Sequence, residues 1–143
     1  MGGANVGPEG KCRYCNKIPL PAFSGQNFRV CEQHYLAYTA RSATGNRTDW
    51  KVLLEILEKQ NRKCAYTGIP IVLGVNASID HKFPRSRFPH LKDDPDNLQW
   101  VTKSVNGIKK TMTHDEFVSV AKERAARYKS LFQQWEMVAS KLP

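Results

Sequence analysis

The sequence predicts an α+β fold, with short strands, flanking helices and a small N-terminal metal-binding module. Three observations lead there. Two ligand pairs, Cys12-x-x-Cys15 and Cys31-x-x-His34, stand fifteen residues apart near the start of the chain. Two short strand-like runs, 77–83 and 98–101, flank a long, charged, proline-containing loop. Stretches with apolar residues every three or four positions lie on either side of those runs, as amphipathic helices require.

Taken in order, residues 1–10 are glycine-rich and are expected to form a disordered lead-in. Residues 11–40 hold the ligand pairs and several aromatics, and form the expected zinc-binding module. Residues 41–47, RSATGNR, are polar and contain glycine, which predicts a linker to a second domain over 48–143. A helix is expected from Thr48 as N-cap, with Asp49 in its positively polarised first turn. Its residues Trp50, Leu53, Leu54 and Leu57 form one apolar stripe. Residues 69–72 read as extended and 74–76 as a turn. After the two strands, 102–110 predicts a short helix. Thr113-His114-Asp115-Glu116 then has the pattern of a capping box opening a long C-terminal helix. The apolar stripe of that helix begins at Phe117 and continues through Leu131, Phe132, Trp135 and Val138. A compact core covers only part of such a length, so the rest is expected against the 48–60 helix of the same chain or against a second molecule. The chain is accordingly expected to be a monomer or a homodimer.

Charge narrows the partners. Lysine and arginine outnumber aspartate and glutamate by 22 to 13, a formal charge of +9 on 143 residues. A positive field of that size attracts phosphate backbones. The apolar run from Ile69 to Val75 is broken by Pro70 and Gly74, so no membrane span is expected. The N-terminal residues have neither the charged nor the apolar region of a secretory signal, and Val6 stands where a myristoylation motif needs serine or threonine. A cytoplasmic location is therefore expected. In that reducing setting, closely spaced cysteines are more naturally metal ligands than disulfides.

Tetrahedral zinc takes four nitrogen or sulfur donors, and a two-residue gap lets a tight turn or a helix start present two together. Cys12, Cys15, Cys31 and His34 supply that set for a structural Zn2+, which leaves no open position for catalysis. Cys64 lies outside it and is expected as a small buried residue. Tyr14, Phe23, Phe28 and Tyr35 either pack around the metal or stack on bases; composition leaves both readings open.

The remaining chemistry sits in Asp80-His81-Lys82-Phe83-Pro84-Arg85-Ser86, Asp96-Asn97-Leu98 and Asn106-Gly107-Ile108-Lys109. A hard divalent cation needs oxygen donors, which the Asp80 carboxylate and the Asn106 amide carbonyl can supply. An imidazole beside them can take a proton from water near neutral pH. Those are the parts of a phosphodiester hydrolase.

These ordered pieces closely resemble the signature of the HNH, or ββα-metal, endonucleases. The stretch 60–68, QNRKCAYTG, also looks like the lead-in of phage and bacterial members. The likeness covers roughly residues 48–125. It is similar both to freestanding phage or homing endonucleases and to the HNH domain of CRISPR nucleases. The resemblance implies a hairpin and a helix gripping one Mg2+ or Mn2+, with Asp80 and Asn106 as ligands and His81 as general base. Asn97 would tie the loop and hold His81. Lys82, Arg85, Arg87, Lys109 and Lys110 are the expected contacts to duplex DNA. Products ending in 5′-phosphate and 3′-hydroxyl are implied, and a phage or mobile-element origin fits. The last motif letter is asparagine, as in many active relatives, and the usual pair of bracing zinc knuckles is absent. The N-terminal module either replaces that brace or reads DNA. The alternative reading is a zinc-dependent DNA-binding module whose HNH fold no longer cuts.

Overall fold

In the computed structural model, residues 10–23 and 28–140 are described, with the backbone alone at 130–132 and 135–139. The expected disorder of the N-terminal residues, like the apolar stripe at Leu131, Phe132, Trp135, Val138 and Leu142, lies outside what is described. The chain is α+β, with four helices and one antiparallel pair of strands. No helix among the described residues is long and apolar enough to cross a membrane.

Helix α1 (Glu32–Thr44) begins directly after Cys31 and ends on Gly45. Gly45 has φ +83°, a left-handed conformation that glycine adopts without a Cβ clash. Its amide donates to the Arg41 carbonyl, satisfying one of the last open acceptors of the helix. The expected linker at 41–47 is therefore helix as far as Thr44, followed by a turn capped by Asn46. Nor is the N-terminal module packed apart from the rest. Leu36 and Ala40 of α1 are fully buried in one core with Leu53, Leu57 and Trp100. Arg62 adds an outer tie, reaching Glu32 on α1 and Glu58 on the next helix at 2.7 Å each.

Helix α2 (Trp50–Lys59) starts two residues later than its expected cap, after a tight turn over 47–49. Its buried Leu53 and Leu57 face the sheet, and the Trp100 indole donates to the Leu53 carbonyl at 2.9 Å. Strands β1 (Ala77–His81) and β2 (Leu98–Thr102) pair with Ile79 opposite Trp100, Asp80 opposite Gln99 and His81 opposite Leu98. Every residue of β2 is buried, because α2 covers one face and the polar site described below occupies the other. At the outer edge of β2, the Gln60 side chain mimics a third strand. It accepts from the Trp100 amide at 2.9 Å and donates to the Trp100 carbonyl at 2.9 Å.

Helix α3 (Lys103–Lys109) follows β2 without a loop, capped by the Thr102 hydroxyl, which accepts from the Val105 amide. It ends at Lys110, whose φ of +50° is unusual for a residue other than glycine. Helix α4 (His114–Ala139) opens on the expected capping box: the Thr113 amide donates to Glu116 and the Glu116 amide to the Thr113 hydroxyl. Phe117 anchors this helix against Tyr66, ring edge to ring face. From Ala121 to Lys129 every residue is exposed, so the described part of α4 runs out past the core.

Candidate active site and metal centre

Two clusters carry chemistry, and α1 touches both. In the first, the donor atoms of Cys12, Cys15, Cys31 and His34 all lie within 4.8 Å of one another. A tetrahedron with arms of about 2.3 Å to zinc has edges of about 3.8 Å. The Cys15 and Cys31 sulfurs stand 3.8 Å apart, and His34 Nδ1 lies 3.6 Å from the sulfurs of Cys12 and Cys15. The backbone amides of Tyr14 and Lys17 point at the Cys12 and Cys15 sulfurs, as suits sulfurs that carry negative charge. Burial pushes the Cys31 thiol up to about 11. At Cys12, burial is outweighed by backbone hydrogen bonds from Tyr14 and Cys31 together with side-chain hydrogen bonds from Cys15 and Cys31, and its value falls. Burial also lowers His34, which favours the neutral imidazole that ligates. The four groups are positioned to bind a metal ion, and the set suits structural zinc. Cys64 is buried away from them, as expected of a small core residue.

The second cluster lies where the end of β1 meets α3. Asp80 is only 3% exposed, and both of its oxygens are engaged. Oδ2 accepts from Gln99 Nε2 at 2.9 Å, across the strand pair. Oδ1 accepts from Lys109 Nζ at 3.0 Å. The same ammonium donates to the carbonyls of His81 at 3.0 Å and Met112 at 2.8 Å, so all three of its protons are used. Lys109, expected on the surface as a phosphate contact, is instead fully buried. Its position one helical turn after Asn106 drops its side chain under β1, where the carboxylate fixes it.

His81 is half-buried, and its Nε2 has no hydrogen-bond partner among the described residues. Burial, then the nearby charge of Arg85, lowers its pKa, which keeps the ring neutral and able to accept a proton. Asn106 donates from Nδ2 to the Ser78 hydroxyl at 2.7 Å. Its Oδ1 carries no hydrogen bond among the described residues, so the acceptor end of the amide is left over. A cleft of about 250 Å³ brings Asp80, His81 and Asn106 together with Arg85 and Lys110.

Asn97 closes the loop between the strands. Its Oδ1 accepts from the Phe83 amide at 2.7 Å, and its Nδ2 donates to the carbonyls of Phe83 and Leu91 at 3.0 and 3.1 Å. The Lys82 amide donates to the Asn97 carbonyl at 2.8 Å, which fixes the chain immediately after His81. Arg85 spans from this loop to the end of α1, donating to the Ser42 carbonyl at 2.9 Å. Arg87 is held by the Thr111 carbonyl at 3.0 Å and by Glu116 at 2.6 Å, which leaves it less free for a ligand. Lys82 and Lys110 have no ion pair among the described residues.

Sequence reasoning missed Gln99, Ser78 and the wall that α1 builds. Tyr38, Thr39 and Ser42 of α1 line a second cleft of about 340 Å³ together with His81 and Asn106. Gln99 and Ser78 become legible once the register is known, since Asp80 opposite Gln99 follows from pairing His81 with Leu98. Nothing local in residues 32–44 marks them as a cleft wall. No family model matches the chain, and no curated protein matches it.

Proposed function

We propose that the chain is a metal-dependent DNA endonuclease of the HNH type. One observation carries the reading: a half-buried imidazole, its Nε2 closed off from solvent, shares a cleft with a buried carboxylate and an amide oxygen left without a donor. His81 would take the proton from the attacking water, and Asn97, by fixing the chain on either side of the loop, would hold that imidazole still. The Asp80 and Asn106 oxygens would hold Mg2+ or Mn2+. That cation would stabilise charge on the phosphoryl and leaving oxygens. The donor set fits a loosely held cation better than a resident one. Each Asp80 oxygen keeps acceptor capacity beyond its one hydrogen bond, but Lys109 already balances the carboxylate charge. The phosphate itself is then the natural source of the remaining negative ligands, as is usual for magnesium. Arg85, Lys82 and Lys110 would meet the DNA backbone, with duplex DNA as the substrate. Cys12, Cys15, Cys31 and His34 would hold Zn2+ as a brace.

A second reading is a DNA clamp that no longer cuts, and the buried Asp80–Lys109 pair favours it, because the carboxylate is satisfied without a metal. Plasmid cleavage in magnesium separates the two. The expected result is cleavage by the native chain and a loss of roughly 10²–10⁴-fold in His81→Ala, with DNA affinity and fold preserved. Equal rates for the two proteins would overturn the mechanism, and no cleavage by either would favour the clamp.

A further inference from the structure

A third cavity, of about 300 Å³, opens on the side of α1 that faces the Cys12, Cys15, Cys31 and His34 knuckle. Tyr14, Phe23, Phe28, Tyr35, Tyr38 and Arg47 line it. Two of them, Tyr35 and Tyr38, also line the cleft that holds His81 and Asn106, so one helix face joins the cavities. Most of the aromatic rings are engaged with neighbours: Tyr14 with His34, and Phe23 with both Phe28 and Tyr35. Tyr38 is the exception. It is 67% exposed, sits at the junction, and has no ring partner among the described residues. No carboxylate lines either cavity among the described residues, while Arg47 and Arg85 stand at their rims. Behind the aromatic wall, the Arg13 guanidinium lies 4.7 Å from the centre of the Phe28 ring and 5.3 Å from that of Tyr14. Arg13 is only 6% exposed, and its Nε has no hydrogen-bond partner among the described residues.

We propose that this aromatic cavity is a subsite for one unpaired nucleobase of the DNA strand whose backbone lies in the His81 cleft. The proposal rests on the endonuclease reading and narrows its substrate to DNA with an unstacked nucleotide beside the cut. A base offers a flat π-face, which aromatic rings and guanidinium groups bind without regard to sequence. The strand is anionic, which suits an aromatic cavity whose described lining holds Arg47 and no carboxylate. A purely apolar ligand would fit the rings but not the arginines. A duplex with every base stacked inside would leave the cavity unused.

The test uses the full-length, zinc-loaded His81→Ala variant in magnesium, so that DNA is bound without being cut. Two labelled duplexes are compared, one fully paired and one with a single unpaired 2-aminopurine. The unpaired duplex is expected to bind roughly tenfold more tightly, which is within what one base–aromatic stack contributes. Its 2-aminopurine fluorescence is expected to be quenched on binding. Tyr38→Ala should remove both the preference and the quench, and Tyr38→Phe should keep both, with zinc content and circular dichroism showing an intact fold. Equal affinity for the two duplexes overturns the subsite. So does a preference or quench that survives both Tyr38→Ala and Phe28→Ala. An RNA strand of the same sequence that competes better than the DNA overturns the assignment to DNA. If the native chain cuts neither duplex while preference and quench persist, the endonuclease reading fails and the subsite stands.

Discussion

The Cys12, Cys15, Cys31 and His34 knuckle and the His81 cleft leave their polar groups in opposite states of completion. At the knuckle, three sulfurs and an imidazole crowd within 4.8 Å, met among the described residues by each other and by nearby backbone amides. The arrangement suits a bound cation. In the cleft, the one carboxylate is matched by Lys109 and Gln99 before any cation arrives. Folding energy is therefore expected to depend on the first metal and to be nearly indifferent to the second. An ion held by Cys12, Cys15, Cys31 and His34 and one held in the cleft would thus have separate roles.

Breaking the knuckle should have the largest effect. Apparent zinc affinities of about 10–16 kcal/mol are comparable to a whole domain's stability of about 5–15 kcal/mol. Because α1 joins the knuckle to the main core through Leu36 and Ala40, Cys31→Ser should unfold more than residues 11–31. Circular dichroism and elemental analysis should show loss of helix along with loss of zinc. Brief EDTA treatment of the native chain should leave the far-ultraviolet spectrum and the zinc unchanged, while removing any cation from the cleft. A native-like melting curve for zinc-free Cys31→Ser would break the comparison.

The next effect sharpens the other half. Lys109→Met leaves Asp80 buried without its counter-charge, since the two side chains are 0% and 3% exposed. Removing one partner of such a pair costs about 3–5 kcal/mol. Asp80→Asn combined with Lys109→Met should recover much of that loss, because no lone charge then remains inside. Urea denaturation of the three proteins checks it. A single variant as stable as the native chain would mean that the pair is not what satisfies Asp80.

The contrast also marks what the sequence makes legible. Both ligand pairs of the knuckle are local patterns, and so is the capping box at Thr113 and Glu116. Asp80, His81 and Asn106 are legible as residue types in order, since a carboxylate, an imidazole and an amide at a strand end and on a short helix carry recognisable chemistry. The burial of Lys109 is not, because a lysine next to Lys110 on a basic chain reads as surface. Only the crossing of α3 over β1 turns it inward. Residues 41–44 misled for a related reason: exposed Arg41 and Ser42 read as linker, while the helix is held by the small buried side chains of Ala40, Ala43 and Thr44. Small residues on a buried face leave a weak periodic signal, so the cleft wall that α1 builds is visible only in three dimensions.

The smallest expected effect concerns what holds the loop of the cleft to α4. Asn97 fixes that loop with neutral hydrogen bonds, whereas Arg87 fixes it with charge, donating to Glu116 at 2.6 Å. The Thr113 amide first, and then the Arg87 guanidinium, hold the Glu116 carboxyl down at about 2, below its ordinary 4.5. A carboxyl whose pKa is lower in the folded state than in the unfolded chain favours folding at pH above both values. That contribution is lost as pH falls from about 4.5 through about 2. The side chain is at the surface, so the contribution is modest and should shrink further in high salt. Glu116→Gln keeps the shape of the capping box but removes the charge. Its melting temperature should fall less steeply than that of the native chain between pH 5 and pH 2. Superimposable acid profiles would mean that the His114 amide, donating to the Lys82 carbonyl at 2.9 Å, holds the loop to α4 without help from Arg87.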